Sequence, residues 1–167
     1  QTFELDPEMD VIELEVEPIN DRPTVSVPTD IAKLMEEDIA AGLALRGASA
    51  GIRVDDLDDV HGADTVEMQV TVDVLHGGLE LDLSAVTTVA GSEREADDDG
   101  VYHPKDDETG VVLYEQITFQ GSIVNLNSAL DSLKYYPDPD FNTGKISERL
   151  VVHVNDLGFT DKDATPP

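Results

Sequence analysis

Between Val66 and Leu75 the chain reads Val-Glu-Met-Gln-Val-Thr-Val-Asp-Val-Leu, with every even-numbered position apolar as far as Val74. A period of two places Val66, Met68, Val70, Val72 and Val74 on one face of an extended strand and the polar residues on the other. A helix would scatter the same residues around its circumference. The pattern recurs at Val11–Glu17, where Ile12, Leu14 and Val16 alternate with Glu13, Glu15 and Glu17, and again at Val25 and Val27 after Pro23. His76-Gly77-Gly78 followed by Leu79-Glu80-Leu81-Asp82-Leu83 predicts a hairpin. Ile117-Thr118-Phe119 and Leu150-Val151-Val152-His153-Val154 supply further strands. One segment has a helical period: Ile123, Leu126, Leu130 and Leu133 fall three and four apart, with Ser122 placed to cap the start. Pro137-Asp138-Pro139-Asp140 then predicts a turn before the last strand. The acidic stretch Ala90 to Gly110 has few apolar residues and reads as a long loop inserted between strands.

Such a chain needs a core, and 40% apolar content in 167 residues is enough for one. The length suits one β-sandwich domain, or one domain with a fragment of its neighbour. Ten basic residues against 37 acidic ones leave a formal charge of -27, which disfavours compaction unless salt screens it or divalent cations neutralise it. Both conditions suit an extracellular or cell-surface setting. The same charge excludes nucleic acid and an anionic membrane surface as natural partners. Aromatic residues are only 5% and tryptophan is absent, which argues against a stacking surface for sugars or bases. The absence of cysteine removes disulfides and thiol catalysis. No stretch approaches the roughly 20 apolar residues of a membrane span.

Two strands share an ending: Glu15-Val16-Glu17-Pro18-Ile19-Asn20-Asp21 and Val151-Val152-His153-Val154-Asn155-Asp156. With Asn20-Asp21-Arg22-Pro23-Thr24-Val25, Gly51-Ile52-Arg53-Val54-Asp55-Asp56-Leu57-Asp58, the Ile117–Leu133 stretch and Tyr135-Tyr136-Pro137-Asp138-Pro139-Asp140-Phe141-Asn142-Thr143-Gly144, the order of motifs resembles the cadherin-like, Ig-like tandem repeats of giant bacterial and algal surface adhesins. The resemblance runs from about residue 11 to 160, broken by the 90–110 insertion. It implies an all-β fold: a Greek-key Ig/cadherin-like β-sandwich with one short helix and a long acidic loop insertion. It also implies that residues 21–167 form the repeat. Residues 1–20 would be linker plus the final strand of a preceding repeat, because Met9–Val16 matches the strand that normally follows Val-Asn-Asp-Leu-Gly. A strand donated between neighbouring repeats would give this layout.

Calcium takes six to eight oxygen ligands. Strands of an antiparallel sandwich run alternately up and down, so the Asn20-Asp21 linker, the loop with Asp56 and Asp58, and the Asn155-Asp156 turn are expected at one end. Glu37 and Asp38 are expected at the other, where the resemblance places an acidic pair. The competing reading is a set of solvated turn residues, since Asp and Asn favour turns in any case. Glu95, Asp97, Asp99 and Asp106 have the spacing of an EF-hand loop but the wrong first and last residues, an internal Pro104 and no flanking helices, which leaves a looser calcium loop as the weaker metal candidate against a flexible acidic loop. The histidines His61, His76, His103 and His153 are scattered singly, which gives zinc little support. No nucleophile elbow, phosphate loop or dinucleotide fingerprint occurs, so an enzyme is not expected. Two functions fit: a non-catalytic structural repeat joined to neighbouring repeats and stiffened by Ca2+, or a binding module whose 90–110 insertion contacts a glycan, mineral or protein partner.

Overall fold

A computed structural model describes residues 21–29, 42–46, 51–57, 67–93, 112–138, 141 and 148–158. Among these the chain forms nine strands and one helix: β1 (Thr24–Ser26), β2 (Leu43–Ala44), β3 (Arg53–Asp55), β4 (Glu67–Val74), β5 (Gly78–Glu80), β6 (Thr87–Glu93), β7 (Tyr114–Ser122), α1 (Ile123–Asp131), β8 (Lys134–Tyr136) and β9 (Leu150–Asn155). The fold is all-β with one short helix, as the alternation requires. β1 pairs with β3, and the others form one sheet in the order β2-β8-β5-β7-β4-β9, with β6 also on β7. Every ladder is antiparallel.

The period-two strand lies at the centre. β4 is held by β7 on one side and β9 on the other. Met68, Val70, Val72 and Val74 face the core, which also contains Ile117 and Phe119 of β7, Leu79 of β5 and Val54 of β3. Burying each such side chain stabilises the fold by about 1.5–3 kcal/mol. On the opposite face Thr71 and Thr118 meet hydroxyl to hydroxyl at 2.9 Å. Val66 lies outside the described residues.

The helix forms where its apolar period predicts. Ser122 is extended and its Oγ accepts from the Asn125 N–H at 3.4 Å, capping α1. Ile123, Leu126, Ala129 and Leu130 are buried, and the helix packs on β3, β4 and β7. Leu133, just past its end, is also buried. The expected turn follows β8, with the Phe141 N–H donating to the Asp138 carbonyl at 3.1 Å.

Two expectations are corrected. His76-Gly77-Gly78 is not a hairpin turn: β4 and β5 both run antiparallel to β7, so the chain keeps its heading through the glycines. Gly77 has φ 97°, and a Cβ there would strike the Tyr136 carbonyl. The pair of glycines serves a kink in a continuing strand, a backbone demand that looks the same in sequence as a reversal. The acidic insertion also begins later than Ala90, because Ala90–Glu93 belongs to β6. Ala90, Gly91 and Ser92 are small and exposed and carry little strand propensity of their own. They are held by the ladder to β7, where a Cβ on Gly91 would come within 2.9 Å of Ile117 and 3.1 Å of Tyr114. The alternating segment Val11–Glu17 lies outside the described residues.

Candidate metal centre

The β1–β3 register sets Thr24 opposite Asp55. Antiparallel pairing therefore sends the residues just before Thr24, including Asp21, and those just after Asp55, including Asp56, to the same end of that pair. Two side chains fix where β3 lies. Asn127 of α1 acts as a substitute strand: its Oδ1 accepts from the Val54 N–H at 2.9 Å and its Nδ2 donates to the Val54 carbonyl at 2.9 Å. Arg53 donates to the Asn127 carbonyl at 3.2 Å and pairs with Asp131 at 2.6 Å. β3 thus runs from the C-terminal part of α1 towards its start. The start of α1 adjoins Ser122, which is opposite Glu67 at the beginning of β4, and Asn155 is opposite Gln69 nearby. The topology consequently directs Asp21, Asp56, Asn155 and Asp156 towards one end of the molecule.

Each of these positions has its own local reason. Asp56 is buried, with 5% exposure, and its N–H donates to Asp55 Oδ1 at 3.0 Å. Asn155 Oδ1 accepts from the Leu157 N–H and Asp156 Oδ1 from the Gly158 N–H, both at 2.9 Å. These contacts hold Leu157 (φ 59°) and Gly158 (φ 75°) in the left-handed region that ends β9. Asn155 and Asp156 therefore have a structural role whether or not a metal is bound.

The donor set contains only oxygen, as a hard cation such as calcium requires. Among the described residues no group of three or more His, Cys, Asp or Glu could hold a metal ion. A complete shell at this end would need Asn20 and Asp58 or oxygens from a neighbour. Asn20, Glu37, Asp38 and Asp58 lie outside the described residues, as do Glu95, Asp97, Asp99 and Asp106. Leu57 and Leu157, beside the acids, are 72% and 47% exposed.

A second polar cluster had no signal in the sequence. Glu148 precedes β9 and takes up the backbone freed by the strand kink. Its Oε1 accepts from the Leu75 and Arg149 N–H groups at 3.2 and 2.7 Å and its Oε2 from the His76 N–H at 3.0 Å, while the single Tyr135 hydroxyl hydrogen is shared between the His76 carbonyl at 2.8 Å and Oε2 at 3.0 Å. The His76 ring stacks on Phe141 with centroids 5.0 Å apart, its Nδ1 3.5 Å from Glu148 Oε2. Both oxygens accept from backbone N–H groups, which ties the carboxylate to the kinked strand. In the turn after β5, Asp82 is held below the usual carboxylate range, first by the Ser84 N–H at 2.9 Å and then by the Ser84 hydroxyl. Comparison of the chain with protein-family models, curated proteins and solved structures finds no match.

Proposed function

We propose that the chain is a non-catalytic structural repeat of a large extracellular adhesion or surface-filament protein, stiffened by calcium where successive repeats meet. The finer architecture belonging to this reading is a Greek-key Ig/cadherin-like sandwich. What supports it is that the strand registers direct Asp21, Asp56, Asn155 and Asp156 towards one end, next in sequence to the exposed Leu57 and Leu157, with no metal-sized group of acids among the described residues themselves. Facing acidic ends of neighbouring repeats repel one another, and a divalent cation shared between them turns that repulsion into attraction. The two exposed leucines give the same end an apolar contact for the neighbour. The hydrogen bonds that tie Glu148 to backbone N–H groups support a structural role for this partly buried cluster. No helix among the described residues is long and apolar enough to cross a membrane. The partners are neighbouring repeats, joined end to end and by strand donation.

Thermal unfolding in chelator and in millimolar calcium tests the metal assignment, with magnesium and matched ionic strength as controls. A ligand that binds only the folded state at a hundredfold excess over Kd stabilises it by about 2.7 kcal/mol. For a chain of this size the expected rise in Tm is on the order of 5–10 °C. Asp156→Asn keeps the oxygen that caps Gly158 and removes the charge, so it should diminish the calcium response and leave Tm in chelator nearly unchanged. An equal response to every salt would reduce the acidic end to a screened surface.

A further inference from the structure

On the central strands β4 and β7 the register sets Gln69 opposite Gln120, Thr71 opposite Thr118 and Asp73 opposite Gln116. These six alternate with the buried Met68, Val70, Val72, Ile117 and Phe119, so all six lie on the face turned away from the core. β6 continues the rows with Thr87 opposite Gln120 and Ser92 opposite Gln116, and β9 adds Asn155 opposite Gln69. Thr87, Ser92, Gln116 and Asn155 are exposed, and the other five of these positions are half-buried.

The composition of this face departs from that of the chain. Elsewhere exposed strand positions hold acids, as at Asp55 and Glu115. Here five of the six central positions are amides or hydroxyls, and three of the four glutamines in the sequence are among them. On this side of β4 and β7 the charged groups are Glu67 and Asp73, with no Lys or Arg, and Glu67 is taken up by Gln120 Nε2 at 3.1 Å. Thr71 and Thr118 share one hydroxyl hydrogen at 2.9 Å, which leaves the other for a ligand.

We propose that this face binds an uncharged, hydroxyl-rich polysaccharide, held by hydrogen bonds and not by stacking. Amides and hydroxyls both donate and accept, as sugar hydroxyls do. The rows recur about every 6.8 Å along the strands, and the strands about every 4.8 Å across them. A surface that repeats suits a ligand that repeats. Charge selects the class of polymer. Asp73 and the net charge of -27 repel a polyanion, while a polycation finds denser acids where Asp55 and Asp56 stand together. Area argues against a protein or a second copy of the chain. Four strands and three rows span about 19 by 20 Å, roughly 400 Å², against about 800 Å² buried on each partner of a stable complex. A polysaccharide strand needs less, and contacts that are weak singly add along its length and over several bound copies.

This inference does not depend on the calcium joint, so its test is run in chelator. NMR spectra of the isotope-labelled full chain follow the side-chain amides as dextran or a soluble β-glucan is added, with alginate and chitosan oligomers as charged controls. The Gln69, Gln116 and Gln120 amides should shift together, while the Asn127 amide, engaged with Val54 on the core side, stays in place. The double variant Gln69→Ala/Gln116→Ala should raise the concentration needed for half of the Gln120 shift by about fivefold or more. Thermal unfolding checks that this variant folds, and the spectra of the unmodified chain decide the matter if it does not. Glutamine amides that neither neutral polymer moves, or that only the charged polymers move, would overturn the proposal. Shifts that grow with protein concentration in the absence of polymer would replace the polysaccharide by a second copy. A missing calcium response with the glutamine shifts intact would remove the metal assignment alone.

Discussion

At the scale of single residues, the two that organise the molecule are polar ones in apolar company. Asn127 sits one position after the fully buried Leu126 and satisfies both backbone groups of Val54. Its sequence context shows only an Asn in a Leu/Asn/Ala-rich helix, a residue with no special merit there. The helical period was legible; the partner 73 positions away was not, because nothing local encodes it. Asn127→Ala would leave the Val54 N–H and carbonyl without partners in a partly buried site. The expected loss is about 2–3 kcal/mol, seen as a fall in Tm on the order of 5–10 °C in calorimetry. Glu148 teaches the same lesson. One more acid among 37 carries no mark of being the group that takes up the kinked backbone at Leu75 and His76.

At the scale of elements, hydrophobic period read the centre of the fold well and its edges poorly. β4, β7, β9 and α1 follow from apolar residues at spacings of two or of three and four, because those elements bury one face against the core. β6 departs from this because exposed strands owe their conformation to a neighbour's hydrogen bonds. The heading of the chain at Gly77 depends on packing against Tyr136, so a glycine pair alone could not distinguish kink from reversal. For the candidate metal end, register carries Asp21, Asp56, Asn155 and Asp156 towards one end, but no group of three acids among the described residues could hold a metal, and Asn20, Glu37, Asp38 and Asp58 lie outside those residues. Two glycine replacements separate the causes at the kink. Gly158→Ala, at φ 75° with nothing within 4 Å of the new Cβ, should cost about 1–2 kcal/mol for the left-handed backbone alone. Gly77→Ala adds the collision with the Tyr136 carbonyl and should cost clearly more in chemical denaturation.

At the scale of the whole molecule, a charge of -27 acts on every part of the fold at once. Raising monovalent salt from about 0.01 to 1 M shortens the Debye length from about 30 to 3 Å, so Tm should climb steadily even with all divalent ions chelated. A Tm that ignores salt would mean that the acidic groups are already neutralised within the fold. The short β1–β3 ladder has a consequence of another kind. If the molecule is pulled between the first and the last of the described strands, the load falls on unequal attachments. β1 is held to β3 by three residue pairs, whereas β9 is held to β4 by six. Under rising tension β1 peels away first, lengthening the chain while the sheet built on β4 stays whole, so that the molecule yields at a weak link without losing its core.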